Sequence, residues 1–195
     1  MPIELSPPVE SGRTTRRQQL VTAAAGLFAE RGFHGVTIEE LGASVGTSGP
    51  ALYKHFASKD AVLAEVLVGI SQHLLDEGRR RVDGASTPTI ALRELLTFHT
   101  HFALTSPDLI RVQDRDLANL SSGEARRVRR LQRAYVELWV EVLLQVESAL
   151  SPEVARTRIH AVFGLLNSTP HSAAKRDPRE VAPDLQRMAY AAIRA

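Results

Sequence analysis

Apolar residues recur along this chain at steps of three and four, with no sustained alternation at steps of two. That spacing lines side chains along one face of a helix and argues against strands. Leu20, Ala23, Ala24, Leu27 and Phe28 predict a first helix over about 14–31. Gly32 follows it, where a left-handed cap residue is expected. Ile38, Leu41 and Val45 predict a short second helix ending near Gly46. Thr37 and Glu40 flank its first turn as a capping box, a hydroxyl for one free N–H and a carboxylate for another. Ser48, with Pro50 just behind it, opens a third helix whose buried stripe is Leu52 and Phe56. Ser58 caps a long fourth helix carrying Val62, Leu63, Val66, Leu67, Ile70 and Leu74, which ends in the cations Arg79, Arg80 and Arg81.

Beyond a linker over 83–88 the pattern lengthens. Helices are predicted over about 89–104, 107–119, 122–150, 152–170 and 179–194, punctuated by Pro107, Pro152, Pro170 and Pro178, with Ser106 and Ser151 as N-caps. The fold class is therefore all-α, an N-terminal three-helix helix-turn-helix domain plus a C-terminal helical bundle, about nine helices in total. Residues 1–12, with Pro2, Pro7 and Pro8 and no apolar stretch, read as a disordered arm. The expected division is that arm, a helix-turn-helix domain over 13–57, a connecting helix over 58–82 and a last domain over 83–195.

Composition removes function classes more than it names one. The 195 residues contain no cysteine, which excludes disulfides, thiolate metal sites and cysteine nucleophiles. No apolar run reaches the roughly 18–20 residues of a membrane helix, and the N-terminus has no signal-peptide core, so a cytoplasmic protein away from the membrane is expected. There is no nucleophile elbow, phosphate loop or zinc-binding His-Glu-x-x-His. His99 and His101, two apart, point to different sides of their helix. No catalytic residue, metal or cofactor is expected. The net charge of +2 is small, but residues 11–59 hold six basic against three acidic side chains. A second basic cluster, Arg126, Arg127, Arg129, Arg130 and Arg133, reads as a solvated helix face.

The pair of short helices joined at Gly46 carries the function. A recognition helix enters a major groove about 12 Å wide with its N-terminal residues against base edges. Ser48, Gly49, Pro50 and Ala51 are small enough for that approach, and the helix N-terminus attracts phosphate. Tyr53, Lys54 and His55 supply donors one turn later.

With these residues on the page, 14–67 resembles the DNA-binding domain of the TetR family of transcriptional regulators. The resemblance rests on Arg31-Gly32-Phe33, Gly35-Val36-Thr37-Ile38, Leu41-Gly42, Val45-Gly46, Leu52-Tyr53, His55-Phe56 and Ser58-Lys59. Thr47, where an apolar residue is common, and the stiff Gly49-Pro50 pair depart from the family pattern. The resemblance implies a homodimeric repressor on a palindromic double-stranded DNA operator, released by a small-molecule effector bound in the C-terminal domain. It implies DNA contacts from Thr37, Thr47, Ser48, Gly49, Pro50, Tyr53, Lys54, His55 and Lys59. Arg13, Arg16 and Arg17 are either a DNA-contacting arm or a solvated end. The fourth helix, from Lys59 to Arg81, is the expected transmitting lever.

For the effector, inward positions His99, Phe102, Leu109, Gln113, Trp139, Phe163 and Asn167 are candidate pocket residues, each also readable as ordinary core. Trp139 is either core or pocket wall. The polar run Arg111 to Asp116 is either a structural lock or a ligand contact. By resemblance the last two long helices form the dimer interface, through Phe163, Gly164, Asn167, Ser168, Leu185 and Met188. The stretch Asn167 to His171 resembles actinobacterial regulators of fatty-acid and acyl-CoA catabolism, which makes an acyl-CoA the first candidate effector and a hydrophobic drug or other metabolite the second. The rival reading is a ligand-independent DNA-binding dimer with a filled core.

Overall fold

A computed structural model describes residues 15–173 and 176–195. They form α1 (Arg16–Arg31), α2 (Ile38–Ala43), α3 (Gly49–Leu52), α4 (Lys59–Asp83), α5 (Pro88–Thr105), α6 (Pro107–Asp116), a 3-10 turn (Leu117–Asn119), α7 (Ser122–Val146), α8 (Pro152–Leu166), α9 (Thr169–Ser172) and α10 (Pro178–Ile193). No strand occurs among the described residues. The expected arm over 1–12 and Arg13 lie outside them.

Local chemistry sets most boundaries. Thr15 and Gln18 form a capping box at α1, and Thr37 and Glu40 form the expected one at α2. Ser48, Ser58 and Ser151 accept from the third backbone N–H beyond them, as expected of caps. Thr87, not anticipated, does the same for α5. Several predicted helices are shorter: α2 ends at Ala43, before Val45, α3 at Leu52, before Phe56, and α6 at Asp116, where the 3-10 turn takes over. The predicted 122–150 helix stops at Val146, because the chain must reverse over Glu147–Leu150 before the Ser151-Pro152 cap. The predicted 152–170 helix breaks at Asn167, because a proline at 170 clashes with the carbonyl four residues back; α9 resumes as a single turn.

Contacts divide the chain into two units. One holds residues 15–73 together with Asp108–Arg130, so α6 groups with the N-terminal helices. Its core includes Leu20, Ala24, Phe28, Leu41, Leu52 and Leu63, all essentially inaccessible. The Arg115 guanidinium donates to the last carbonyls of α1, Phe28 O and, at 3.3 Å, Ala29 O. It also pairs at 3.0 Å with the buried Asp116, which accepts the Phe33 N–H at 3.4 Å. Of the two readings of the Arg111–Asp116 run, these contacts are those of a structural lock on the end of α1.

The other unit holds Leu74–Pro107 and Leu131–Ala195. There α10 packs on α5 and α8, and α9 packs on α5. The buried Thr169 hydroxyl donates to Ala103 O at 2.7 Å, and Arg158 donates to Ile193 O at 2.9 Å, tying α9 to α5 and α8 to the end of α10. Gly78 is buried on α4, where a Cβ would come within 2.7 Å of Tyr135 Cε2 and 3.0 Å of Leu138 Cδ2.

Glycine in a helix normally costs about 0.5–1 kcal/mol relative to alanine. At Gly26, exposed on α1 with nothing within 4 Å, Gly26→Ala is expected to raise stability by about that amount. Gly78→Ala is expected to lower it by about 1–3 kcal/mol, because overpacking against a buried ring outweighs propensity. Urea unfolding of the two variants checks the opposite signs.

Candidate functional site

The helix-turn-helix is held by one close approach. Gly42 on α2 is buried, and a Cβ there would lie 2.9 Å from Ser48 C and Thr47 O and 3.0 Å from Gly49 N. The turn between the helices is closed by Thr47 N–H donating to Gly42 O at 2.9 Å, with Gly46 at φ +67°. Only glycine at 42 lets α3 sit this close to α2. Gly49 is also buried, with Glu39 of α2 over its Cα, so it packs the two helices and is not a surface position.

The rest of α3 faces outward. Ser48 and Pro50 are exposed, and Thr47 is half-buried. Tyr53, at the C-cap, is 56% exposed, and Lys54 and His55 beside it are exposed too. Leu52 and Phe56 are buried, as expected of the inner stripe. Thr37 is exposed at the start of α2, where its N–H donates to the Glu40 carboxylate at 2.8 Å and its hydroxyl accepts the Glu40 N–H at 3.2 Å. Those bonds, with Arg31 at 2.7 Å, hold Glu40 below the usual carboxylate range.

Two basic residues are engaged within the fold. Lys59 Nζ donates to Phe33 O and Val36 O, each at 2.8 Å, and sits 4.3 Å over the Phe33 ring. It pins the turn between α1 and α2, which differs from the phosphate contact expected of it. Arg17 pairs with Glu65 at 2.8 Å, donates to His55 O, and lies 4.2 Å over Phe56. It joins α1, the residues just after α3 and α4, although its side chain stays 44% exposed.

The effector candidates divide between the units. Leu109 and Gln113 are on α6, buried and half-buried respectively. His99, Phe102, Trp139, Phe163 and Asn167 come together in the C-terminal unit. His99 is 3% exposed and lies 4.7 Å from Phe163, 5.8 Å from Phe102 and 6.0 Å from Trp139 between ring centroids. Its Nε2 bonds Asn167 Oδ1 at 3.0 Å, so that nitrogen carries the proton and Nδ1 accepts from the Tyr135 hydroxyl at 3.3 Å. Tyr135, not among the expected pocket residues, stacks on Phe163 with ring planes 7° apart. Burial pushes the His99 imidazole down to about 4, although the Asn167 bond opposes the shift. Burial pushes the Tyr135 hydroxyl up, against the Trp139 N–H and the Arg81 charge.

Of the expected interface residues, Gly164 is exposed with nothing within 4 Å of a built Cβ, and Met188 is 54% exposed. Phe163, Asn167, Ser168 and Leu185 are half-buried. No group of three or more potential metal-binding side chains occurs among the described residues. None of their helices is long and apolar enough to cross a membrane.

Residues 20–66 match the family described as bacterial regulatory proteins, tetR family, and residues 85–171 match the tetracyclin repressor-like C-terminal domain. The chain belongs to the TetR family. It is a DNA-binding transcriptional regulator of that family, and its named relatives are regulators rather than enzymes. It is 29% identical over 140 residues to the transcriptional repressor KstR2 of Rhodococcus jostii, an alignment covering 70% of this chain and 69% of that protein. With KstR2 of Mycobacterium tuberculosis it is 36% identical over 81 residues, only 40% of that protein's length. The solved M. tuberculosis protein, described as a ketosteroid transcriptional regulator, gives a TM-score of 0.76 at 21% identity, covering 92% of this chain and 95% of that one. FadR of Bacillus subtilis, solved with stearoyl-CoA, gives 0.73 at 15% identity, covering 91% and 100%. At such identities the structural likeness is one of fold.

Gly42→Ala in this TetR-family protein is expected to push α3 off α2 and weaken DNA binding at least about tenfold. Fluorescence anisotropy checks it, on a duplex selected by the wild type from a randomised pool. His99 predicts a separate pH effect. Its folded pKa lies below the unfolded value, so its contribution is complete above about pH 6.5 and is lost as the pH falls towards 4. The loss is on the order of 3 kcal/mol. Urea midpoints across that window should show it, and His99→Gln should flatten the curve.

Proposed function

We propose that this protein is a cytoplasmic homodimeric repressor that binds a palindromic operator and leaves it when a small apolar effector, an acyl-CoA, binds the C-terminal unit. The single observation carrying the DNA half of this reading is the exposed row Ser48, Pro50, Tyr53, Lys54 and His55, held out from α2 by the close approach at Gly42. In this reading Ser48 and Pro50 lie near bases, while Thr37, Tyr53, Lys54 and His55 meet phosphates. Thr47 lines the turn behind them. Gly49 and Lys59 act by holding the frame.

The division of labour follows the chain. Residues 13–57 read DNA, 58–82 connect, and 83–195 bind effector and partner. The open surface at Gly164 and the exposed Met188 favour α8 and α10 as the faces that pair two copies. The aromatic cluster around Trp139 favours an apolar ligand, and the stearoyl-CoA held by FadR and the ketosteroid named for KstR2 are apolar chemistries of that kind. Release requires that the effector bind one arrangement of the recognition helices better than another. Because α4 runs through both units without a break, it is the element we assign to that coupling.

Selection from a randomised duplex pool should return an inverted repeat with half-sites about one helical turn apart. Tyr53→Ala should weaken binding to it about tenfold, and Lys54→Ala should reduce the salt slope by about one unit. Saturating decanoyl-CoA should release the duplex. A pool that yields no common sequence would sink the operator reading, and unchanged affinity with the thioester bound would sink the release mechanism.

A further inference from the structure

Three of the residues assigned to DNA lie outside any helix. α3 ends at Leu52, so Tyr53, Lys54 and His55 occupy the turn that follows it, all three exposed. Backbone bonds tie this turn to α3, from Lys54 N–H to Ala51 O at 3.2 Å and from His55 N–H to Leu52 O at 2.8 Å. A helix of one turn has little stability of its own, so it gives the turn a weak anchor. The far end of the turn is held by a side chain 38 residues earlier in the chain. The Arg17 guanidinium donates to His55 O and lies 4.2 Å over the ring of the buried Phe56.

An arginine on a half-exposed face has many rotamers, and Glu65 selects one. Arg17 Nε donates to Glu65 Oε1 at 2.9 Å and Nη2 to Oε2 at 2.8 Å, so the arginine fork meets both oxygens of one carboxylate. With those two bonds made, Nη1 is the atom that reaches His55 O. Both partners stand on packed helices. α1 buries Leu20, Val21 and Ala24 just beyond Arg17, and α4 buries Val62, Leu63, Val66 and Leu67 around Glu65. The ion pair itself is half-exposed, and pairs of that kind contribute little to folding stability. Its place in the fold matters more than its strength, because it fixes the backbone just behind Tyr53, Lys54 and His55.

We propose that Arg17 and Glu65 are positioning residues for DNA binding, which hold the turn of Tyr53, Lys54 and His55 in its binding geometry without touching DNA. The proposal rests on the reading of those three residues as DNA contacts and names what orders them. A segment ordered before it binds is spared the entropic cost of ordering on association. For Glu65 the consequence runs against simple electrostatics. A carboxylate near a polyanion repels it, so removing one should tighten binding. Here the loss of the Glu65 carboxylate releases Arg17, loosens the turn and weakens binding. An acidic side chain on α4 thus supports affinity for a polyanion.

Fluorescence anisotropy of the full chain, on a duplex selected by the wild type, tests this. Glu65→Ala, Arg17→Gln and Arg17→Lys should each weaken binding about fivefold, and the double variant Arg17→Gln/Glu65→Ala should be no weaker than either single one. Arg17→Lys separates shape from charge, since lysine keeps the charge and lacks the fork. The salt slope should keep its wild-type value throughout, because the phosphate contacts are still made once the turn is ordered. Urea midpoints should stay close to that of the wild type. A tie that served folding alone would instead lower the midpoint and leave the affinity of the folded protein unchanged. Tighter or unchanged binding by Glu65→Ala overturns the proposal. So does a salt slope about one unit smaller in Arg17→Gln, the mark of an arginine that contacts a phosphate directly. Tyr53→Ala, measured alongside, tells the two readings apart. If it weakens binding and Glu65→Ala does not, the proposal alone falls. If Tyr53→Ala leaves the affinity unchanged, the reading of the turn as a DNA contact falls, and the proposal with it.

Discussion

The end of α1 is the point on which the N-terminal unit depends. A helix finishes with carbonyls that have no partner in the helix, and the turn from Gly32 to Thr37 adds more polar backbone beside the buried Phe28 and Phe33. These groups must be satisfied where water has little access. Two cations do so from opposite directions in sequence. Arg115 of α6 covers Phe28 O and Ala29 O, and Lys59 at the start of α4 covers Phe33 O and Val36 O. Asp116 completes the arrangement by accepting the Phe33 N–H and compensating Arg115. One turn thereby fastens α1, α4 and α6 together.

This arrangement bears on regulation. A recognition helix is useful only if its position is defined, and α3 is a single turn with little stability of its own. It borrows rigidity from the Gly42 contact with α2 and from Arg17, which links the end of α3 to α1 and α4. The same polar contacts give α4 and α6 direct purchase on the helices that carry the DNA-facing residues.

The C-terminal unit is built on a different principle. Its core is closed by aromatic rings and by a directed hydrogen-bond chain, Tyr135 to His99 to Asn167, in which each proton has one place to be. The neutral His99 makes that possible, because an imidazolium would need an acceptor at both nitrogens. A core of this kind specifies orientation more sharply than an all-hydrocarbon one, since each member is satisfied in only one geometry.

Much of this was readable from local chemistry. The caps at Thr37, Ser48, Ser58 and Ser151, the inner stripe of Leu52 and Phe56, and the outward Tyr53, Lys54 and His55 depend on residues within a turn or two of one another. Spacing in the chain is therefore spacing in space. Other features come from residues far apart in sequence. Lys59 and Arg17 read as DNA-facing or solvated cations and became ties between elements, because the carbonyls and the carboxylate they meet come from other elements. Tyr135 and Arg81 were not expected beside the His99 cluster, since a tyrosine on a helix stripe and an arginine near a helix end are ordinary. Only the packing of the C-terminal unit brought Tyr135 to His99 and Arg81 to Glu94 and Phe98. The sequence by itself determined an all-helical regulator with its recognition turn and caps in place, because helix periodicity and capping are local. The tertiary structure decided which charges became ties, because pairing between distant elements exists only once the chain has folded.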